Sequence, residues 1–143
     1  MAALVTAFVA PGEQAALPTK DEPGAYTQAV VDDAIRRFER TGLEATVAYY
    51  DDPANVDGEW YVFILDLQGN YIAHPNPDTR EWTYEEQFDA TGYFIGDDLL
   101  SATEEGRWIH YTWYNPASGE AGQKHSWVVL HEDMVFGSGW YEN

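Results

Sequence analysis

Two cations in this chain could bind an anion. Lys124 lies in a run of aromatic and β-branched residues, and Arg80 lies in a long polar loop. The other five cations fall in the N-terminal segment, on the outer face of a predicted helix, or at the start of a predicted strand. A buried cation needs an acidic partner or an anionic ligand. We therefore take Lys124 and Arg80 as candidate carboxylate anchors. The alternative is that Lys124 extends from a strand edge into solvent or pairs with a nearby Asp.

The segment around Lys124 predicts an antiparallel hairpin. The runs Trp108–Tyr114 and Lys124–His131 suit a pleated sheet, and Asn115–Gly119 between them is rich in turn-forming residues. A third strand, Met134–Tyr141, is expected after a short acidic break. The two glycines of this third run, at positions 137 and 139, indicate either a bulge or the close approach of another group.

The register of this hairpin decides which side chains share a face. If Asn115 lies opposite Glu120, Tyr111 faces Lys124 and Ile109 faces Ser126. One face then gathers polar-tipped aromatics, a hydroxyl and a cation, namely Tyr111, Trp113, Ser126 and Lys124. The opposite face takes Trp108, His110, Thr112, His125 and Trp127. The first group suits a small-ligand pocket, and ordinary core packing is the equally weighted alternative.

A long polar loop, residues 75–92, is expected to contribute to the same pocket. Loops of this length inside a compact domain are often functional. Trp82 in this loop is a candidate lid over a ligand. His74, just before Pro75, would end a strand at the mouth of the pocket. The default for His74 and for the other three histidines is a structural role.

No metal, cofactor or catalytic site is predicted. The chain has no cysteine, and its four histidines do not by themselves form a metal-binding set. The acidic loop 51–59 fails the calcium-loop pattern, because Pro53 and Ile64 would occupy the two essential acidic positions. The Gly137-Ser138-Gly139 sequence lacks the spacing of a nucleophile elbow. We therefore expect a protein without enzymatic activity.

The elements along the chain predict an α+β domain. Apolar residues at helical spacing predict a helix over Tyr26–Thr41, and Leu43–Tyr50 is either a second helix or a strand. Strands are expected over Trp60–Asp66 and Tyr71–His74, with a tight turn between them. A helical turn or two is expected within 97–105. The prediction is a central antiparallel sheet of about five strands with the N-terminal helix packed on one face.

Composition limits the classes of partner. The net charge of -18 opposes binding to nucleic acid and to anionic membranes. No apolar run is long enough to span a bilayer. Residues 1–25 are rich in Ala, Pro and Gly, and Pro23 and Gly24 argue against a long helix there. This segment is the tail of a signal peptide, an engineered start or a short piece of structure, and residues 26–143 form the domain.

The ordered segments of residues 26–142 resemble the single Cache domain family, extracytoplasmic relatives of PAS domains. No single segment is specific, but their order is. The segments that carry the resemblance are 42–50 (GLEATVAYY), 58–66 (GEWYVFILD), 73–75 (AHP), 89–92 (DATG), 105–108 (EGRW), Tyr111, 113–116 (WYNP), 124–128 (KHSWV) and 137–141 (GSGWY).

This resemblance implies a periplasmic or extracellular sensor of small molecules such as carboxylates, amino acids or amines, acting in signal transduction or chemotaxis. It places the ligand on the sheet face opposite the N-terminal helix, under the loop between the second and third strands. The chain is then either a stand-alone member or an ectodomain of something longer. The competing hypothesis is a non-catalytic interaction module whose partner is another protein or a second copy docked through the N-terminal helix.

Overall fold

An antiparallel sheet lies at the centre of residues 18–143, the part of the chain that the computed structural model describes. The sheet order is β2-β1-β5-β4-β3, which confirms the predicted α+β class with five strands. In chain order the elements are α1 (Pro23–Thr41), α2 (Leu43–Asp51), β1 (Phe63–Asp66), β2 (Tyr71–Ala73), α3 (Gly96–Leu99), β3 (Arg107–Tyr114), β4 (Ala121–His131) and β5 (Met134–Tyr141). Residues 1–17 lie outside the described residues, so the domain boundary at residue 26 stays a prediction.

Helix α1 packs its apolar face on the sheet, as the helical spacing predicts. Val31 and Ala34 are fully buried against it. The helix begins at Pro23, one turn before the predicted start at Tyr26. The first turn tolerates proline because its missing N–H would have no helical partner. Gly42 ends the helix with φ +88°, donating its N–H to the Phe38 carbonyl at 2.9 Å.

The second helix is present, which settles the alternative for Leu43–Tyr50 in favour of helix.

The first two strands are shorter than predicted. Strand β1 begins at Phe63, because the chain turns at Trp60, whose backbone bonds reciprocally with that of Asp57. The indole N–H of Trp60 donates to Thr27 Oγ1 at 2.8 Å, so this turn is fastened to α1. Within the predicted 97–105 segment, only the single turn of α3 is helical.

The hairpin register is confirmed. Tyr111 pairs with Lys124 and Ile109 pairs with Ser126, as the alternation required. Strand β5 covers Met134–Tyr141 without a register shift against β4, so its glycines mark close approaches. A Cβ atom on Gly137 would lie 2.3 Å from the Phe63 ring.

The sheet separates two apolar cores. The core under the helices includes Val31, Ile64 and Phe136. The core on the opposite face includes Phe63 and Ile109. Within the described residues, no helix combines the length and apolar character that crossing a bilayer needs.

Candidate ligand site

A cleft of about 720 Å³ opens on the sheet face opposite α1. Tyr61 lies just before β1, and Trp113 comes from β3. The loop after β2 supplies His74, Trp82 and Asp89 to the wall. This volume and this mixture of aromatic side chains with a few polar groups suit a small-molecule site.

Lys124 lies behind the cleft wall without an acidic partner among residues 18–143. Its side chain is 1% exposed, and Nζ donates to Tyr61 Oη at 2.9 Å. Nζ also lies 4.1 Å from the centre of the Tyr61 ring and 5.5 Å from that of Tyr141. Among residues 18–143, no carboxylate forms an ion pair with it. Burial lowers the pKa of Lys124 to about 7, and the charge of Glu59 opposes this only in part.

His74 presents a neutral imidazole to the cleft. The side chain is buried, and Nδ1 accepts a hydrogen bond from the Asn76 backbone N–H at 3.0 Å. We infer from this bond that the proton of the neutral ring is on Nε2, which makes Nε2 a donor. The pKa of His74 is lowered to about 3, mainly by burial and in addition by the charges of Lys124 and Arg80. Both cations are therefore close enough to His74 to act on its charge state.

Asp89 is one of two acidic residues of the cleft wall, together with Asp78, and has a structural role. Its Oδ1 accepts bonds from the Thr91 N–H, the Thr91 hydroxyl and the Tyr93 N–H at 2.7–2.9 Å. Its Oδ2 accepts the Thr112 N–H at 2.9 Å. Burial raises the pKa of Asp89, but these hydrogen bonds outweigh it, so the pKa lies below its usual value. Asp89 thus fastens the loop to β3 as a carboxylate.

Of the seven site residues predicted from sequence, three line the cleft and three lie directly behind it. His74, Trp82 and Trp113 face the cavity, and the Trp82 and Trp113 rings meet edge-on at 5.6 Å. Lys124, Tyr111 and Ser126 form the buried layer, in which Tyr111 Oη and Ser126 Oγ are hydrogen-bonded at 2.9 Å. The ligand-contact role of each of the seven remains a prediction.

Arg80, the seventh predicted site residue, pairs with an aspartate outside the cleft. Its Nη1 lies 3.0 Å from Asp51 Oδ2, while Asp51 Oδ1 accepts the His74 backbone N–H at 2.9 Å. Arg80 does not line the cleft. Its Nε is buried and has no hydrogen-bond partner among the described residues. The Asp51 pair therefore holds the start of the loop against α2 and takes part of the Arg80 charge.

The wall residues that were not predicted from the sequence include Tyr61 and Asp89. Tyr61 lies in the run Trp60–Asp66, whose continuous apolar character predicts only a buried strand. Asp89 belongs to the segment 89–92, which carries part of the resemblance but gives no local sign of a role in the cleft. The signal for Tyr61 was its polar-tipped ring within that run.

A smaller cavity of about 260 Å³ lies on the helix side, near α1 and α2. It is also lined by aromatic rings, but cations of the chain already pack on two of them. The Arg37 guanidinium lies 3.6 Å from the centre of the Tyr49 ring, and Lys20 Nζ lies 5.5 Å from that of Trp60. The larger cleft on the opposite face is therefore the better candidate.

Comparison with known proteins agrees with this architecture. The family model described as a Cache domain matches residues 52–143, which is more than half of the chain. The chain belongs to the Cache domain family. No curated protein matches this Cache domain.

Three solved structures share the fold of this Cache domain. A methyl-accepting chemotaxis protein from Vibrio parahaemolyticus is 18% identical, with a TM-score of 0.71 over 85% of this chain and 89% of its own. A Cache chemosensory domain described for carboxylic acid recognition is 19% identical, with a TM-score of 0.68 over 87% and 96%. The periplasmic sensor domain of a chemotaxis protein is 22% identical, with a TM-score of 0.62 over 81% and 88%. At these identities the likeness shows the fold alone.

Proposed function

We propose that this Cache domain is an extracytoplasmic sensor that binds a small carboxylate-bearing ligand in the cleft, in signal transduction or chemotaxis, without catalysis. One observation carries the proposal, namely the buried Lys124 ammonium that lacks an acidic partner within residues 18–143. Such a charge is unfavourable unless an anion compensates it. A ligand carboxylate would supply that anion.

Tyr61 connects Lys124 to the cleft. The lysine can only donate, so Tyr61 Oη accepts its hydrogen bond, and the phenol proton is available to another acceptor. Tyr61 lines the cleft whereas Lys124 does not. A carboxylate oxygen in the cleft would accept from the Tyr61 hydroxyl and from Nε2 of His74. The charge of Lys124, directly behind the phenol, would strengthen the first of these bonds.

The ligand class is supported by charge and by analogy. Lys124 lies directly behind the cleft wall in a chain whose net charge is -18, and no carboxylate among residues 18–143 forms an ion pair with it. An unpaired cation at this place favours an anionic group over an amine. One structure of the same fold is a Cache chemosensory domain that recognises carboxylic acids. The aromatic rings Trp82 and Trp113 would cover the apolar part of a carboxylate or amino-acid ligand.

The test is a calorimetric titration of the intact chain with short carboxylates, amino acids and amines, preceded by a thermal-shift screen. A ligand at 100 times its Kd stabilises the folded state by about 2.7 kcal/mol, which is visible as a shift in Tm. The chain has two lysines, so Lys20→Met is the matched control for Lys124→Met. We expect at least one carboxylate to bind the wild type and Lys20→Met but not Lys124→Met.

Two results would contradict the proposal. One is a screen in which no carboxylate or amino acid binds protein that mass spectrometry shows to be free of co-purified ligand. The other is equal binding to Lys124→Met and to the wild type. In the first case, a dimer detected by light scattering would favour the interaction-module hypothesis.

A further inference from the structure

Three side chains with metal-binding atoms converge on the helix side of the sheet, away from the ligand cleft. Glu39 lies near the end of α1, His131 is the last residue of β4, and Glu132 begins the turn to β5. One ligand atom from each lies within 4.8 Å of the other two. We propose that Glu39, His131 and Glu132 form a zinc-type divalent metal site that bridges helix α1 to the β4–β5 turn.

The spacing of the ligand atoms fits a tetrahedral metal ion. Nε2 of His131 lies 3.3 Å from Glu39 Oε2 and 3.7 Å from Glu132 Oε2. Zinc bonds of about 2.1 Å at tetrahedral angles separate neighbouring ligand atoms by about 3.4 Å. The separations of 3.3 Å and 3.7 Å lie close to this value. An ion could therefore enter with small side-chain adjustments.

The imidazole nitrogen near the two carboxylates makes no other interaction among the described residues. Nε2 of His131 is buried, and within the described residues it makes no hydrogen bond of proper geometry. The ring is held between two phenylalanines, with centroid distances of 6.0 Å to both Phe38 and Phe136. Packing on these rings restricts the imidazole, and Nε2 lies 3.3 Å from Glu39 Oε2 and 3.7 Å from Glu132 Oε2. A buried polar atom without a partner needs a ligand or a proton to explain it.

The donor set indicates which ions would bind. One imidazole and two carboxylates suit zinc and neighbouring transition metals, whereas magnesium and calcium prefer oxygen ligands alone. Three protein ligands leave one tetrahedral position for water. The sequence did not reveal this site, because Glu39 lies far from His131 and Glu132 along the chain and only the packing of α1 on the sheet brings them together.

The competing explanation is a protonated His131 that forms ion pairs with both glutamates and binds no metal. Either explanation predicts that Glu39→Gln folds, because Glu39 is exposed and the substitution keeps its shape. Only the metal site predicts saturable zinc binding that the substitution removes. The proposal does not depend on the ligand cleft, so the two can succeed or fail separately.

The test is a calorimetric titration of the full chain with zinc chloride in a buffer containing millimolar magnesium, which suppresses non-specific binding to the acidic surface. We expect one zinc ion per chain, with affinity reduced at least about tenfold in Glu39→Gln and in Glu132→Gln. Zinc should also raise the Tm of the wild type but not of these variants, because the ion joins α1 to the turn.

Two controls make the result specific. Glu44→Gln removes an exposed carboxylate from α2 outside the cluster, and His110→Asn breaks the cross-strand His110–His125 pair, a second place where zinc could bind. Both should retain the wild-type affinity. Absence of saturable zinc binding to the wild type would overturn the proposal. So would loss of binding in His110→Asn with retention in Glu39→Gln.

Discussion

Nζ of Lys124 donates to Oη of Tyr61 at 2.9 Å, and this phenol is the only hydrogen-bond partner of the ammonium among the described residues. The four aromatic rings around Nζ, those of Tyr61, Phe63, Tyr111 and Tyr141, interact with a cation but do not neutralise it. The pair therefore joins an uncompensated charge to a group that faces the cleft. The buried charge that would attract a ligand also lowers the stability of the folded domain.

We expect Lys124→Met to stabilise the domain at pH 7. Burial holds the pKa of Lys124 at about 7, below the 10.5 that it has when exposed. Because the folded-state pKa is depressed, the folded state is destabilised progressively as pH falls from 10.5 to 7. Methionine fills a similar volume without a charge, so the free energy of unfolding should rise by about 1–4 kcal/mol. Urea denaturation at pH 7 measures this change.

The effect should shrink as the pH rises from 7 toward 10.5, because the lysine of the unfolded state then also loses its proton and unfolding no longer gains from protonating it. Lys20→Met should leave stability nearly unchanged, because Lys20 and its partner Asp57 are both about half exposed. A Lys124→Met variant less stable than the wild type at pH 7 would contradict this account of the buried charge.

Tyr61→Phe should weaken carboxylate binding by about 10- to 100-fold. The substitution keeps the ring in the wall but removes the hydroxyl that would donate to the ligand, and hydrogen bonds to charged groups contribute about 1.5–3 kcal/mol. Calorimetry with the best carboxylate from the screen measures the change in Kd, and circular dichroism checks that the variant is folded. Tyr84→Phe, which removes a hydroxyl bonded to Asp97, is the matched control. Equal affinity in Tyr61→Phe would remove this phenol from the site.

Carboxylate affinity should fall as the pH rises above about 7. The bound carboxylate favours charged Lys124, whereas the free protein loses that proton near pH 7 because the side chain is buried. Each further pH unit should raise Kd by up to about tenfold. Titrations in buffers of different ionisation enthalpy should show proton uptake on binding. A Kd that stays constant from pH 6 to 9 would disprove the coupling.

The sequence predicted the hairpin face well because alternation along two long strands leaves few choices of register. The facing of Tyr111 and Lys124 followed from one turn residue, Asn115. The partners of buried groups were not predictable in this way. Tyr61 is 63 residues from Lys124, and nothing local to either residue specifies their contact.

The starts of α1 and of β1 show where local signals fail. Pro23 reads as a helix breaker, yet it occupies the first turn of α1, where its fixed φ is compatible with helix. The apolar run from Trp60 predicts a strand, but a turn at Trp60 bonded to Thr27 of α1 shortens it. In both places tertiary context decides between conformations that the local residues allow.

Gly137→Ala should destabilise the domain by about 1–3 kcal/mol. A Cβ atom at this position would lie 2.3 Å from Cζ of Phe63, which is 2% exposed and has little room to move. Gly122→Ala is the matched control on the neighbouring strand, because its Cβ would meet Tyr141 at an ordinary 3.7 Å. Thermal and urea denaturation of both variants test this. Equal stability of Gly137→Ala and the wild type would show that β1 and β5 can separate without loss.

His74 should make the domain sensitive to acid. The pKa of this buried imidazole is lowered from 6.5 to about 3, first by desolvation and then by the charges of Lys124 and Arg80. Because the folded-state pKa is depressed, the neutral ring contributes stability that is fully present above pH 6.5. That stability is lost as the pH falls from 6.5 toward 3, and the loss amounts to a few kcal/mol.

His74→Asn should flatten this dependence, since the amide oxygen can still accept the Asn76 N–H but does not titrate. Free energies of unfolding measured from pH 7 to pH 4 should fall less steeply for His74→Asn than for the wild type. The difference between the two slopes should correspond to the uptake of up to one proton on unfolding. His110→Asn, at an exposed position on the other face of the sheet, should keep the steep wild-type profile. Parallel profiles for His74→Asn and the wild type would mean that carboxylates elsewhere, and not this histidine, set the acid stability.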